Sequence, residues 1–272
     1  MIATEKPVLK RLLITGAAGG LGSVARDYLS DFAEEIRLSD ISPVDGNRAN
    51  EQYVQADLAD PAAVHKIVEG CDGIVHFGGV STEKSFDLIE RANIRGVFNL
   101  YQAAKAAGGP RIFFASSNHT IGFYQTDEMI DGDAPPMADG LYGASKVYGE
   151  QLAMVYWKKF GIETARVRIG SCFPAPKDRR MLSTWMSYRD LFSLAKRVFI
   201  VPRLGCPVIY GVSKNPSVWW DNSKVSYLGW EPQDSTEEWR SRMEAAEEAN
   251  ANDAPPALYQ GGMFTAEPIH EN

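Results

Sequence analysis

Short apolar runs alternate along the chain with longer stretches in which apolar residues recur at helical spacing. The short runs predict strands at 11–16, 35–40, 53–57, 73–79, 111–117, 163–170 and 207–213. The longer stretches predict helices at 20–31, 61–69, 85–107, 141–160, 187–199 and 235–250. Because strands alternating with helices are typical of βαβ units, the pattern predicts an α/β fold with a doubly wound parallel sheet.

Two segments rich in Pro, Asp, Asn and Gly interrupt this pattern, at 125–140 and 250–256, and we predict loops there. No change of composition marks a domain boundary before about residue 170. We therefore expect one domain over residues 1–272, in which the residues from about 171 onward contribute a small C-terminal lobe packed over the sheet.

The composition is that of a globular protein with an acidic balance. Of the 272 residues 44% are hydrophobic and 23% are charged, and the formal net charge is −7. Because like charges repel, we expect neither nucleic acid nor an anionic membrane as a partner. A small anionic substrate requires a local cation.

Cys71, Cys172 and Cys206 are far apart and form no CxxC pair, which argues against a disulfide framework and against a zinc site. We expect no bound metal. The amino terminus, MIATEKPVLKR, has no apolar core of a signal peptide, and no stretch of 18 apolar residues follows. The prediction is a cytoplasmic protein.

The first predicted strand runs into a glycine-rich turn, TGAAGGLG, that contains Gly16, Gly19 and Gly22. Glycine is required where a tight turn brings backbone N–H groups up to a pyrophosphate at a helix amino terminus. The spacing departs by one residue from the dinucleotide fingerprint GxGxxG. A turn that only packs a helix closely against a strand is the alternative interpretation.

Asp40 ends the second predicted strand, 24 residues after Gly16. A carboxylate there can accept hydrogen bonds from both ribose hydroxyls of NAD, whereas it would repel the 2′-phosphate of NADP. Asp57, followed by Leu58, is placed to meet the adenine after the third strand. Asp40 could instead serve in a turn, and Asp57 could instead cap the helix near Pro61.

Four consecutive polar side chains, Ser116 to His119, follow the apolar run RIFFA, and the motif YGASK lies downstream. Tyr142 and Lys146 are four residues apart and therefore share one helix face. A nearby ammonium favours a phenolate, so we expect Lys146 to lower the pKa of Tyr142 and make it a usable general base. Taken alone, YxxxK is more often a solvated helix surface.

The segments TGAAGGLG, SSNHTIG and YGASK together resemble the short-chain dehydrogenase/reductase superfamily of the extended type, whose fold is Rossmann-type. Within that superfamily the chain resembles the uronate dehydrogenases more closely. The matching blocks, in the same order between about residues 10 and 265, are FASSNHTIGFY, GLYGASK, VRIGSCFP, RMLSTW, VWWDN and YQGGMF. Six blocks in register are far more specific than the superfamily signature.

The resemblance implies a role for each candidate residue and a lobe that covers the substrate. Catalysis is assigned to Ser117, Tyr142 and Lys146. Substrate contacts are assigned to Ser81, Asn118, His119, Ser171, Arg180 and Phe264. Contacts with NAD are assigned to Gly16, Gly19, Gly20, Leu21, Gly22, Asp40, Asp57, Leu58, Phe77, Gly78, Gly79, Asn93, Tyr142, Lys146 and Ile169.

Some of these assignments have plainer alternatives. Asn118 and His119 could simply satisfy backbone groups in a tight turn. Arg can hold a carboxylate with two parallel hydrogen bonds, but from the residues alone Arg180 is no better a candidate than Arg179. For His76 a packed or backbone-bonded imidazole is the favoured interpretation.

The resemblance implies NAD-dependent oxidation of a hexuronic acid, glucuronate or galacturonate, at C1 to the aldarolactone. It also implies a homo-oligomer, since the helices at 85–107 and 141–160 pair subunits in many relatives. Two alternatives stay open: an extended-type epimerase or dehydratase acting on a sugar nucleotide, and a non-catalytic NAD-sensing protein. The intact set of Ser117, Tyr142 and Lys146 argues against the second alternative.

Overall fold

Seven parallel strands form the central sheet of the protein, whose computed structural model describes residues 7–247 and 255–270. The sheet order is β10-β7-β5-β4-β1-β2-β3, and the predicted doubly wound parallel sheet is confirmed. Two pairs of two-residue strands, β6 with β11 and β8 with β9, lie outside it. The strands are Leu9–Thr15 (β1), Ala33–Ser39 (β2), Glu51–Tyr53 (β3), Gly73–His76 (β4), Arg111–Ser117 (β5), Ile130–Asp131 (β6), Thr164–Ile169 (β7), Ser171–Cys172 (β8), Trp185–Met186 (β9), Val208–Gly211 (β10) and Trp220–Asp221 (β11).

Helices connect the parallel strands and cover both faces of the sheet. They are Gly20–Leu29 (α1), Pro61–Val68 (α2), Phe86–Ile89 (α3), Gly96–Ala106 (α4), Leu141–Phe160 (α5), Met181–Thr184 (α6), Tyr188–Ile200 (α7), Glu237–Glu247 (α8) and Pro255–Leu258 (α9). A π-helical segment, Glu90–Arg95, joins α3 to α4, and single 3₁₀ stretches occur at Asn118–Ile121, Ser223–Leu228 and Gly262–Ala266. Within the described chain no helix has the length and apolar character needed to cross a bilayer.

The apolar strands predicted from the pattern lie in two separate cores, one on each face of the sheet. Leu12 and Ile14 of β1 point to the face covered by α1 and α7, whereas Leu13 points to the face covered by α2, α4 and α5. All three side chains are fully buried, as expected for a parallel strand covered on both faces. This explains why the strands are continuous apolar runs without alternation.

The order of the strands reverses between β1 and β4, which are neighbours with Thr15 opposite His76. In open α/β sheets a crevice for ligands forms at the carboxyl ends of the strands at such a switch point. The fold therefore directs the glycine turn after β1 and the polar strand end of β5 to the same edge of the sheet.

The structure differs from the predicted elements in several places. The third strand ends at Tyr53, so Asp57 lies in the loop that follows. The predicted loop at 125–140 contains the short strand β6, because Ile130 pairs with Trp220 of β11. Helix α8 begins at residue 237 and not at 235 as predicted. The predicted loop at 250–256 overlaps the helical turn α9, which begins at Pro255. Residues 248–254 lie outside the described ranges.

A third apolar cluster joins the segment before α5 to the C-terminal part of the chain. It contains Ile121 and Ile130 together with Tyr210, Val212 and Trp220. Residues from both sides of position 171 therefore form the layer beyond the sheet edge. The division of the chain at about residue 171 stays a prediction.

Candidate active site

One cleft of about 2210 Å³ runs along the carboxyl ends of the strands. It is lined by all but one of the predicted site residues, and the exception is Asn93. The predicted residues that line it are Gly16, Gly19, Gly20, Leu21, Gly22, Asp40, Asp57, Leu58, Phe77, Gly78, Gly79, Ser81, Ser117, Asn118, His119, Tyr142, Lys146, Ile169, Ser171, Arg180 and Phe264.

The glycine turn forms a tight junction between β1, α1 and the turn after β4. Gly16 has a φ of 69°, and a Cβ there would lie 2.7 Å from the backbone nitrogen of Gly78. A Cβ on Gly22 would lie 2.0 Å from the carbonyl oxygen of Gly16. Gly20 has no protein atom within 4 Å of its Cβ position, so this face of the turn is open to a ligand. The turn fits the predicted pyrophosphate cradle at the amino terminus of α1.

Asp40 lies at the end of β2 and is fixed by two backbone donors. Its Oδ2 accepts from the N–H of Ala18 at 3.0 Å, and its Oδ1 accepts from the N–H of Ser42 at 3.0 Å. The carboxylate thus has a defined orientation in the cleft beside the glycine turn. That arrangement fits the ribose end of NAD.

Asp57 lines the same end of the cleft and is ion paired with Arg91. A backbone hydrogen bond from Ala59 and the Arg91 guanidinium hold its pKa below the ordinary range. The alternative in which Asp57 caps α2 is wrong, because Asp60 does so by accepting from the N–H of Ala62 at 2.9 Å. Asp57 therefore does not cap α2.

Tyr142 and Lys146 lie on one face of α5, at the end of β5. The Lys146 ammonium lies 5.7 Å from the Tyr142 ring centroid and donates to the carbonyl of Ala115 at 2.8 Å. Burial lowers the pKa of Lys146 to about 8 and raises the pKa of Tyr142 to about 12, although a hydrogen bond with Ser117 opposes the latter shift. In the protein by itself burial is the largest influence on this phenol, and the lowering of its pKa that we expect from Lys146 stays a prediction.

Arg180 and Arg179 both line the cleft, but Arg180 is partly buried whereas Arg179 is exposed. The Arg180 guanidinium donates through Nε to the carbonyl of Gln260 at 2.7 Å and through Nη1 to Ser171 Oγ at 3.3 Å. No carboxylate forms an ion pair with it within residues 7–247 and 255–270, and burial lowers its pKa. A partly buried cation without a carboxylate partner favours an anion as the ligand that completes the site.

The amide of Asn118 connects Arg180 to the end of β7. In the orientation that satisfies both polar atoms, its oxygen accepts from Arg180 Nη2 at 2.7 Å and its nitrogen donates to the carbonyl of Ile169 at 3.1 Å. Asn118 is thus more than a turn residue. Its oxygen binds Nη2 of the guanidinium, which also donates to the carbonyl of Gln260.

His119 lies between Tyr142 and Phe264 in the wall of the cleft. Its ring stacks on Phe264 with a centroid distance of 3.8 Å and meets the edge of Tyr142 at 5.8 Å. Its Nδ1 is hydrogen bonded to Asp139 Oδ2 at 2.7 Å. Sequence reasoning missed Asp139, whose position two residues before α5 suggests at most a helix cap.

Asn93 lies behind the cleft wall in the π-helical segment and holds the turn after β4. Its Oδ1 accepts from the N–H of Val80 at 2.8 Å, and its Nδ2 donates to the carbonyl of Val80 and to Ser145 Oγ at 2.9 Å each. A Cβ on Gly79 would lie 2.6 Å from that Oδ1. These contacts are those of a residue that organises the backbone of the turn, and the cofactor contact of Asn93 stays a prediction.

Glu83 is a second residue that the sequence did not reveal. It is buried, and its carboxylate accepts from the N–H groups of Leu141 and Tyr142 at 2.9 Å each. Gly140, the residue before α5, provides no side-chain cap. Glu83 therefore caps α5 from the loop that carries Ser81, across nearly 60 residues, and no local pattern predicts such a contact.

His76 is a packed residue, as the sequence favoured. Its Nδ1 is hydrogen bonded to Thr15 Oγ1 at 2.8 Å, and its ring stacks on Phe114 at 5.8 Å. Burial lowers its pKa to about 3. The imidazole is therefore neutral at physiological pH.

No group of three or more His, Cys, Asp or Glu side chains in the described ranges is arranged to hold a metal ion. The functional groups that meet where β5, α5 and the segment with Arg180 come together are a phenol, an ammonium, hydroxyls and one guanidinium.

The comparisons with known proteins point to the same chemistry. The sequence profile of the NAD dependent epimerase/dehydratase family matches residues 12–188. Uronate dehydrogenase of Pseudomonas putida is 53% identical over 255 residues, which cover 93% of this chain and 95% of that protein.

Solved structures of uronate dehydrogenase from Agrobacterium tumefaciens superpose over nearly the whole chain. One has a TM-score of 0.93 at 52% identity and covers 97% of this chain and 100% of that one. Another, a tyrosine-to-alanine mutant complexed with NAD, has a TM-score of 0.92 at 52% identity and covers 97% and 99% of the two chains. The chain therefore belongs to the NAD dependent epimerase/dehydratase family and, within it, to the uronate dehydrogenases.

Proposed function

We propose that the protein oxidises a hexuronic acid, glucuronate or galacturonate, at C1 with NAD and releases the aldarolactone. The observation that carries the proposal is the position of Arg180, a partly buried cation in the same cleft as Tyr142 that forms no ion pair with a carboxylate in the described chain. The relatives named uronate dehydrogenase support the same substrate class. An acidic sugar supplies the anion that Arg180 lacks.

NAD would lie along the cleft from the glycine turn to α5. Gly16, Gly19, Gly20, Leu21 and Gly22 would hold the pyrophosphate, and Asp40 would accept from the ribose hydroxyls. Bound NAD supplies the acceptor for the C1 hydride. Asp57, Leu58, Phe77, Gly78, Gly79 and Ile169 would complete its binding surface, with Asn93 holding the backbone behind them.

Tyr142 would take the proton from the anomeric hydroxyl while Ser117 orients that hydroxyl. The hydrogen bond between Ser117 and Tyr142 supports this pairing. Lys146 would stabilise the phenolate and contact the nicotinamide ribose, and its bond to the carbonyl of Ala115 fixes it at the required depth. Since the alcohol is part of a hemiacetal, oxidation at C1 gives a cyclic ester.

The substrate carboxylate would be held by Arg180 through Nη1, since Nε and Nη2 donate to the carbonyl of Gln260. Ser171 and Asn118 contact that guanidinium and would add donors or acceptors for the sugar. Ser81 and His119 would bind ring hydroxyls. Phe264 would close the apolar side of the pocket.

The Tyr142→Phe variant tests the proposed base. We expect NADH formation from galacturonate to fall by about 10²- to 10⁴-fold, because the phenyl ring cannot accept the proton, whereas NAD affinity measured by titration calorimetry stays near wild type. Turnover retained by the variant would remove Tyr142 from this role. A wild-type protein inactive on both uronates would contradict the function itself.

We also propose a cytoplasmic location and self-association through the outer faces of α4 and α5. Phe98, Val155 and Phe160 expose 41–46% of their surfaces on these helices. Exposed apolar side chains of this size favour burial against a second copy. Sedimentation velocity of the purified protein tests the assembly, and a monomer at micromolar concentration would contradict it.

A further inference from the structure

Asp139 occupies a niche that three glycines keep open. A Cβ on Gly122 would lie 1.9 Å from Asp139 Oδ2, and a Cβ on Gly261 would lie 2.0 Å from the same atom. A Cβ on Gly143 would lie 3.2 Å from Oδ1. These glycines come from the end of β5, from α5 and from the C-terminal segment, so three distant parts of the chain make room for one carboxylate.

The carboxylate in this niche has a single side-chain partner. Its Oδ2 lies 2.7 Å from His119 Nδ1, while Oδ1 is buried with no hydrogen-bond partner in residues 7–247 and 255–270. The Asp139 side chain is fully buried. Since burying an ionised carboxylate is costly, a position with only one hydrogen bond requires a compensating function.

The contact decides which nitrogen of His119 carries the proton. A carboxylate only accepts hydrogen bonds, so Nδ1 must be the donor. In the neutral imidazole Nε2 is then left as an acceptor. Nε2 forms no hydrogen bond within the described chain, and the ring that carries it lines the cleft.

The aromatic neighbours of the ring fix its direction. Phe264 stacks on one face at 3.8 Å, and Tyr142 lies against it at 5.8 Å, so the ring cannot rotate freely.

We propose that Asp139 is a positioning residue that holds His119 as a hydrogen-bond acceptor for a hydroxyl group of the uronate. The inference rests on the proposed function and deepens it. It separates two tasks: Arg180 binds the carboxylate, and the Asp139–His119 pair binds a hydroxyl, because an acceptor nitrogen would repel a carboxylate. A sugar without a hydroxyl group at that position would lose the hydrogen bond to His119 Nε2.

Kinetics of Asp139→Asn, His119→Ala and the double variant test the inference. We expect each single variant to lower kcat/KM for galacturonate by about 10- to 100-fold, the effect of one lost hydrogen bond in a dry site. The double variant should match His119→Ala, because Asp139 acts only through His119. Asp131→Asn, a partly exposed acid outside the cleft, serves as the matched control and should behave as wild type. Full activity of Asp139→Asn, or an equal further loss in the His119→Ala background, would overturn the inference.

A second measurement does not depend on turnover or on the folding of the variants. Nitrogen-15 NMR of histidine-labelled wild-type protein at neutral pH should show His119 as a neutral ring protonated on Nδ1, assigned by its loss in His119→Ala. A ring protonated on Nε2 alone, or on both nitrogens, would overturn the inference. If the wild type forms no NADH from either uronate, the proposed function fails, while the NMR result still decides the role of Asp139.

Discussion

Burial shifts the pKa values of the two groups at the catalytic end of the cleft. It disfavours the charged form, so it lowers the pKa of Lys146 to about 8 and raises the pKa of Tyr142 to about 12. In the protein by itself the phenol is therefore neutral, and deprotonation of Tyr142 requires further positive charge beside it. His76 follows the same rule, with a pKa lowered to about 3.

His76 makes the folded protein sensitive to acid. The unfolded chain takes up a proton on this residue below its ordinary pKa of 6.5, whereas the folded protein does so only near 3, so stability is lost as pH falls through this window. We expect this residue to cost roughly 2 kcal/mol at pH 5 relative to neutral pH. Urea unfolding at both pH values measures the loss, and His76→Phe should reduce it. Equal losses in the two proteins would contradict the assignment.

Residues whose roles depend on local spacing could be predicted from the sequence. Tyr142 and Lys146 are four apart on one helix, and Gly16 and Gly22 flank one turn, so their geometry follows from the backbone. Asp139 could not be predicted, because its partner lies 20 residues away in a 3₁₀ turn. Sequence spacing carries no signal for a contact of that kind.

At the scale of elements, the amino terminus of α5 determines where Tyr142 lies. The helix has no cap from its own flanking residue, and the buried Glu83 carboxylate supplies one to Leu141 and Tyr142. The same loop carries Ser81, which lines the cleft. The cap therefore couples the catalytic helix to a substrate-side loop.

Replacing Glu83 by Ala should damage both stability and catalysis. Two buried backbone N–H groups would lose their acceptor, which costs about 1–3 kcal/mol of unfolding free energy, and the start of α5 would move. Urea unfolding and kcat measured on the same samples test this. Glu90→Gln, which removes an exposed ion pair with Arg95, is the control and should change stability by less than about 1 kcal/mol. Wild-type kcat in Glu83→Ala would show that the cap does not position Tyr142.

Most elements could be predicted from the apolar pattern, because each strand of a covered parallel sheet is a continuous apolar run. The helix predicted at 85–107 is interrupted by the π-helical segment Glu90–Arg95, which places Asn93 against Val80. The π segment has only six residues, too few to alter the apolar pattern of the longer stretch. The pattern could not reveal it.

At the scale of the whole molecule, the C-terminal strap (residues 259–266) closes the substrate end of the cleft. The fully buried Gln260 anchors it: its Oε1 accepts from Trp220 Nε1 at 2.8 Å, and its Nε2 donates to the carbonyls of Gln125 and Glu128 at 2.9 Å. The carbonyl of Gln260 also accepts from Arg180. The glycine turn and Asp40 lie at the other end and make no such contact.

Replacing Gln260 by Ala should therefore separate the two halves of the site. We expect the KM for galacturonate to rise by at least about 10-fold, since the buried partners of the Gln260 amide are left unpaired and the strap that carries the carbonyl bonded to Arg180 loses its anchor. NAD affinity, measured by calorimetry, should stay near that of the wild type. A parallel loss of NAD affinity would show that the strap supports the whole cleft and not the substrate end.

The convergence of distant segments could not be derived from the chain alone. The family resemblance implied that Arg180, Tyr142 and Phe264 meet, but the residues that hold them together are bound through contacts across 20 to 135 positions. Such contacts follow from packing in three dimensions. They can be identified only from the folded structure, in which the ends of the strands lie at one edge of the sheet.

The preference for an acidic sugar over its neutral counterpart tests the central claim most directly. The measurement is the ratio of kcat/KM for galacturonate to that for galactose, determined for the wild type and for Arg180→Met. We predict a wild-type ratio of at least about 10², because the Arg180 guanidinium forms a charge-assisted hydrogen bond with the carboxylate of galacturonate, which galactose lacks. In Arg180→Met the ratio should be near unity. A wild-type enzyme that oxidises galactose equally well, or a ratio unchanged in Arg180→Met, would contradict the claim that Arg180 selects the substrate.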